Sequence, residues 1–456
     1  MKKILGAASL ALAACTTGPA YERPAAPVPA HYKQADGWQP AAPGDLLDKG
    51  PWWELFGDPV LNQLAVAVAI DNQDLAGAAA RYAQARAIVA EQRAALFPVV
   101  SLDASASRSG GGGEQRTANQ YRVSLGAGWE PDLWGRLRAG VGAAQAGAQA
   151  SAAELAAARL SAQGELAANY IGLRLADAQL VLLAETVEAY ERVLQITQNR
   201  VNAGIAQKSD LLQAQTQLAN ARAERLGVTR QRAVLEHATA VLLGKAPADF
   251  TLAPAPWSLQ VPQVPPGLPS TLLERRPDIA AAERRVAAAN AQVGIARSAY
   301  FPHLSLGGSY GVAGGAAAGL FSASNTLWSL GLSAAQAVFN AGATGARVEQ
   351  AGAARDAAIA AYRQAVLVAL ADVENQLAAT RILAQQQALR QGAADAASQV
   401  EQQMLNRYRA GQVAYTEVVT AQTAALNARR ALLQVQADRQ TVAVALVQAL
   451  GGGWSH

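Results

Sequence analysis

The chain has 456 residues, of which 51% are hydrophobic but only 5% aromatic, so alanine carries much of its apolar content and favours closely packed helices. Charged residues make up 16% and the formal net charge is +4, too little and too scattered for a nucleic-acid surface. Cys15 is the single cysteine and the histidines stand apart at His31, His237, His303 and His456. That excludes an internal disulfide and a cysteine metal centre, and gives no acid–histidine spacing for a hydrolase or metalloenzyme.

Lys2 and Lys3 precede a short apolar run from Ile4 to Ala14. Its length suits an export signal over residues 1–14 and is too short to cross a bilayer. It ends in Leu12-Ala13-Ala14-Cys15, which resembles a bacterial lipobox. In signals of that kind the cysteine becomes the first residue of the mature chain and receives S-diacylglycerol and N-palmitoyl groups; no other cofactor is expected. Several acyl chains hold a protein to a membrane where one binds only marginally. Thr16 follows rather than an aspartate, so the inner-membrane retention signal is missing. Residues 15–60, with prolines from Pro19 to Pro51, read as an extended surface tether.

Residues 61–250 and 271–451 read as two copies of one design, separated by a proline-rich linker at 251–270. Leu96-Phe97-Pro98 recurs as Tyr300-Phe301-Pro302 at an offset of 204. Arg200-Val201-Asn202-Ala203-Gly204 recurs as Arg407-Tyr408-Arg409-Ala410-Gly411 at an offset of 207. Ala214-Gln215-Thr216 and Ala421-Gln422-Thr423 match at that same offset. A fixed offset held over a long span indicates duplication.

Each half opens with a helix, from Asn62 to about Arg93 and from Asp278 to about Arg297. Period-two alternation then predicts two strand hairpins, at 97–134 and 301–339. Val100, Leu102, Ala104 and Ala106 alternate with Ser101, Asp103, Ser105 and Ser107, and Trp328, Leu330 and Leu332 with Ser329, Gly331 and Ser333. One apolar face and one serine- and glycine-rich face suit a membrane barrel wall with the apolar side outward; a soluble sandwich is the alternative. Trp129, Trp134 and Trp328 lie on or beside the strands and suit an interfacial aromatic belt; core packing is the alternative. The loop from Gly110 to Gly113 lacks the Lys-Ser/Thr of a phosphate cradle.

Helical hairpins follow at 136–244 and 343–450. From Arg136 to Ala203 no proline occurs in 68 residues, roughly 100 Å if fully helical. Leu173, Leu180, Val187, Leu194 and Val201 recur every seven residues, as do Val228, Leu235 and Leu242, and Val419, Leu426 and Leu433. Seven-residue spacing means coiled-coil packing. The connecting turns carry Gly204 and Gly411, where a helix C-cap favours glycine. Asp210 and Glu417, equivalent in the repeat, fall just inside the return helices. Two roles are open for them: a carboxylate ring facing a pore, paired with arginines such as Arg200 or Arg407, or favourable charges at ordinary helix N-termini.

The fold class is therefore mainly α with a small β part: a long coiled-coil helical barrel plus four transmembrane β-strands per subunit. Four strands cannot close a barrel, and open edges in lipid cost several kcal/mol per unsatisfied group, so other subunits must complete them.

Leu272-Leu273-Glu274-Arg275-Arg276-Pro277-Asp278-Ile279, then Ala282-Glu283, Asn290-Ala291 and Phe301-Pro302, resembles the hallmark of outer-membrane factors (TolC/OprM-like) of tripartite resistance-type efflux systems. Pro51-Trp52-Trp53 and Phe56-Gly57-Asp58-Pro59 are similar to the start of its NodT-type lipoprotein subgroup. The match covers nearly all of the mature chain in order. It implies a homotrimer whose twelve strands form one outer-membrane barrel and whose helices form a tunnel across the periplasm. It implies a passive exit duct for small molecules without chemistry of its own, driven by an inner-membrane pump of the resistance-nodulation-division type. Arg200, Gly204, Arg407 and Gly411 would mark the tips that dock a periplasmic adaptor. Asp210, Glu417 and Thr420 are the candidates for a closed periplasmic aperture. Relatives often carry aspartate where Thr420 stands, so a hydroxyl-lined constriction is expected at that point. The exit duct of a type I protein-secretion system and a non-conducting coiled-coil lipoprotein are the alternatives; the lipid anchor and the Arg-Arg-Pro-Asp stretch favour small-molecule efflux.

Overall fold

A computed structural model describes residues 18–34, 51–110, 118–257, 260–262, 264 and 275–452. The export signal, Cys15, much of the tether and Leu272-Leu273-Glu274 lie outside the described residues. Helices α1 (Pro59–Asp71) and α2 (Gln73–Ala94) lead into strands β1 (Val99–Ser109) and β2 (Ala118–Trp129), then α3 (Arg136–Asn202) and α4 (Lys208–Leu242). The second half supplies α5 (Pro277–Ser298), β3 (His303–Gly314), β4 (Thr326–Ala335), α6 (Ala343–Arg409) and α7 (Tyr415–Ala449). Helices α3 and α6 have 67 residues each and α4 and α7 have 35 each, so the duplication has kept the element lengths.

The expected helix from Asn62 to Arg93 is two helices instead. Asn72 adopts an extended conformation, φ −66° and ψ 123°, between them. Its Oδ1 accepts the Leu75 N–H at 3.0 Å and its Nδ2 donates to Leu242 O at 2.8 Å. The side chain thus caps α2 while tying the break to the end of α4, and an asparagine favours a cap over a helix interior.

The chain divides into two compact units, each drawing on both sequence halves. One comprises the described residues up to Ala26, with Ala80–Ala153 and Ile279–Ala365; the other comprises Pro27–Ala79, Glu154–Asp278 and the described residues from Val366.

The first unit contains one antiparallel sheet in the order β1-β2-β3-β4. Its register separates two faces cleanly. Ser101 opposes Gly126, which opposes Ser309, which opposes Ser329. One residue along, Leu102, Leu125, Tyr310 and Trp328 form the next row, on the opposite face because side chains alternate along a strand. The apolar face is bare: Leu102 is 71% exposed, Trp328 76% and Leu330 72%. A groove of about 600 Å³ on the sheet is lined mainly by serines and glycines, with Ala127, Leu330 and Leu332 at its margin.

In the second unit the heptad positions do pack. Leu173 is buried; Ala176 and Leu183 pack with Val228, and Val187 and Tyr190 with Leu218 and Ala221 of the return helix. A stretch of α3 is apolar enough to cross a bilayer by composition, yet 67% of it is buried in the fold. Within α3, Arg174 and Asp177 pair at 2.9 Å with side chains 3% and 5% exposed. Arg232 of α4 joins Asp177 at 2.6 Å, and the two arginines donate to Ala253 O and Leu252 O of the linker. Burial would penalise these charges, and the shared hydrogen bonds offset it. Arg276 of the Arg-Arg-Pro-Asp stretch bonds Asp278, Asp372 of α6 and Ala449 O at the end of α7. That stretch therefore fastens a helix C-terminus, where a cation is favourable.

Candidate functional site

Both helical hairpins end in the same turn. At the first tip the Gly204 N–H donates to Val201 O at 2.9 Å and the Ile205 N–H to Arg200 O at 2.8 Å. At the second, Gly411 donates to Tyr408 O and Gln412 to Arg407 O, both at 2.9 Å. Paired bonds of this kind close a Schellman turn, which needs a left-handed residue; Gly204 and Gly411 supply φ of 72° and 75°. Gln207 and Ala414 then extend the chain before α4 and α7 begin. Asp210 and Glu417 lie in the first turns of those helices, where exposed N–H groups favour carboxylates.

The two tips are joined by a cluster that sequence reasoning missed. Tyr408 and Tyr415 are buried with Val193, Ala214 and Val418, their rings 5.5 Å apart. The Tyr408 hydroxyl meets Thr197 Oγ1 at 3.2 Å. Arg200 lies over the Tyr408 ring at 4.6 Å and donates from Nη1 to Tyr408 O at 2.5 Å. Within the chain, Arg200 is therefore engaged with an aromatic ring and a helix-end carbonyl. Arg407 is exposed in the last turn of α6. The missed signal was present in the repeat: Tyr408 and Tyr415 stand where the first half has Val201 and Lys208. Two aromatics at facing helix ends, at places where the copies differ, mark a contact between the halves that only the second half's residues can make.

The aperture candidates divide. Glu417 and Thr420 line a groove of about 400 Å³ along α6 and α7 with Val400, Met404, Thr416, Ala421 and Ala424. Thr420 Oγ1 donates to Thr416 O at 2.9 Å, so its hydroxyl is turned to its own helix. Asp210 is not part of that groove; its charge acts on Tyr415, whose hydroxyl is pushed up mainly by burial and further by Tyr408, Tyr190 and Asp210. Farther along the hairpins, Arg222 bonds Glu191 at 2.7 Å and the equivalent Arg429 bonds Glu401 at 2.9 Å. Glu401 is held above the usual carboxylate range by burial, which Arg429 only partly opposes. Gln217 reaches Thr423 at 3.0 Å, and Arg430 pairs with Glu224; these bonds link α4 to α7.

At the sheet, the three tryptophans occupy different settings. Trp328 stands in the row of Tyr310 on the bare apolar face. Trp129 closes β2, opposes Leu306 and donates from Nε1 to Leu96 O at 2.9 Å. Trp134, past the strand end, stacks on Phe301 at 4.9 Å and donates to Pro302 O at 2.7 Å. Trp328 and Trp129 are four residues apart in register, about 13 Å along the strands.

A sheet with one bare apolar face and one polar face, in the same chain as paired 67-residue helices with matched tips, defines a subunit of an outer-membrane channel. Comparison with known proteins bears this out. The sequence profile described as "Outer membrane efflux protein" matches residues 64–245 and 268–452. The "Solvent efflux pump outer membrane protein SrpC" of Pseudomonas putida is 33% identical over 463 residues, covering 98% of this chain and 97% of that protein. OprJ of Pseudomonas aeruginosa is 31% identical, covering 98% and 95%. The solved structure of the outer-membrane channel OprN is similar with a TM-score of 0.89 at 32% identity, covering 96% of this chain and all of that one. The chain belongs to the outer membrane efflux protein family. It is an outer-membrane channel component of an efflux pump.

Proposed function

We propose that three copies of this chain form one continuous exit duct, anchored by acylated Cys15, that carries small amphiphilic molecules out of the cell. The observation that carries this reading is the sheet. Its apolar face is bare, its polar face is lined by serine and glycine, and its outer strands β1 and β4 each pair on one side only among the described residues. In lipid such edges must be satisfied by further strands, and lumen-facing serine and glycine keep a duct wet and wide. The tips are the surface offered to a periplasmic adaptor, with Arg200, Gly204, Arg407 and Gly411 setting their shape. An inner-membrane pump of the resistance-nodulation-division type drives transport, and this subunit contributes no chemistry. Asp210, Glu417 and Thr420 surround the aperture that closes the duct when no pump is attached. Similarity to a solvent efflux protein supports organic solvents and other small apolar solutes as the cargo.

The test is a strain lacking this chain, grown with organic solvents and with amphiphilic antibiotics. Complementation by the wild type should restore tolerance, and Cys15→Ser should lower it and abolish acylation detected by mass spectrometry. Unchanged tolerance on deletion, with the companion pump intact and no second duct expressed, would overturn the reading.

A further inference from the structure

The register assigns every residue of the sheet to one of its two faces. Ser101, Gly126, Ser309 and Ser329 form one row of the polar face, and every second residue along each strand shares that face. Through β1 to β4 the polar face carries only uncharged residues apart from His303, Asp103 and Arg122. His303 is the first residue of β3 and bonds Glu130 at 2.9 Å. Asp103 opposes Ser124, and Ser105 opposes Arg122. The carboxylate and the guanidinium therefore belong to diagonal neighbours across β1 and β2, roughly 7–8 Å apart. Gly311 and Ala313 come next in their two rows; both are too short to cover them, and Asp103 and Arg122 are exposed. Asp103 accepts a hydrogen bond from Ser101 Oγ at 3.0 Å, and no ion pair joins it to Arg122 among the described residues.

We propose that Asp103 and Arg122 together set the charge selectivity of the duct where it crosses the membrane. This rests on the function proposed above, in which the polar face lines the lumen. In three copies the pair becomes a collar of charges that alternate in sign and sum to zero. Fixed charges on a pore wall draw in the opposite ion and turn back the like one. A collar without net charge leaves this stretch indifferent to the sign of its cargo, so amphiphiles of either charge can leave through it. The balance depends on both members. Loss of either leaves three charges of one sign on a wall that has no other charge at that height. Gly311 shares the row of Asp103 through Ser124. His303 lies eight residues before Gly311 on the same strand, about 26 Å at 3.3 Å per residue. That exceeds the Debye length of about 8 Å at physiological ionic strength, so His303 cannot stand in for either member.

The test is the reversal potential of the full-length, lipidated protein in planar bilayers under a potassium chloride gradient. Around 0.01 M salt the Debye length is about 30 Å. There Arg122→Gln should raise the cation-to-anion permeability ratio several-fold, and Asp103→Asn should lower it several-fold. The double variant should return to the parent's ratio, and Arg122→Lys should keep it. Around 1 M salt the Debye length is about 3 Å, and the ratios of all variants should coincide. Shifts of the same sign, shifts that persist at high salt, or a ratio that neither substitution moves would overturn the collar while leaving the duct. A parent that is folded and assembled but passes no current removes the duct and the collar together. Thermal unfolding identifies any variant that fails to fold, and the opposite substitution then decides by the sign of its shift.

Discussion

Arg200 shows how one side chain fastens two helical hairpins. Its guanidinium lies over the Tyr408 ring and bonds the Tyr408 carbonyl at the end of α6, where the helix dipole favours a cation. Arg200→Ala should loosen the tip by about 1.5–3 kcal/mol, the range for hydrogen bonds to charged groups. Chymotrypsin cleavage at Tyr408 and Tyr415 should accelerate accordingly, with only partial rescue by Arg200→Lys because lysine lacks the planar fork. Unchanged cleavage would contradict the contact. Glu401 gives a pH signature. Burial raises its pKa in the folded chain, so its contribution to stability is present below the ordinary glutamate range and lost as pH rises through the raised value. Glu401→Gln should flatten that loss, so the variant gains on the wild type with rising pH across the carboxylate range. Thermal denaturation between acid and neutral pH measures it; parallel curves would contradict the sign.

At the scale of elements, the strands and hairpins follow from periodicity alone. A Leu102→Arg substitution on the bare face should cost about 2–4 kcal/mol at mid-depth in a bilayer and lower the yield of protein folded into outer membranes, whereas Ser101→Arg on the polar face should fold normally. Gly204→Ala and Gly411→Ala should each cost about 1–2 kcal/mol, because an L side chain is strained at positive φ. Thermal shifts read both. These elements were legible because the signals are local: alternation in Val100 to Ser107, sevenfold spacing from Leu173, and a glycine at each tip. What was not legible depends on distant partners. The break at Asn72 is fixed by a carbonyl 170 residues away. The Tyr408–Tyr415 cluster needs Arg200 and Thr197 from the other half. The Arg-Arg-Pro-Asp stretch identified the family, but its physical task, fastening α7 through Arg276, appears only when Asp372 and Ala449 are brought beside it.

At the scale of the molecule, duplication gives one chain two similar hairpins and two strand pairs, and it differentiates them where the tips meet. The tyrosines at 408 and 415 have no aromatic equivalents in the first half, so the second hairpin is the one locked by Arg200 and the one whose groove holds Glu417 and Thr420. Asp210 and Glu417, repeat equivalents, thereby have unlike surroundings. The central claim is a duct that is complete through the membrane and closed at these tips. It is tested most directly by single-channel recording of the purified, lipidated full-length protein in planar bilayers, beside the Asp210→Ala plus Glu417→Ala variant. The account predicts rare, small openings in the parent and larger, more frequent ones in the variant. An absence of conductance in both, from protein shown to be folded and assembled, would contradict it.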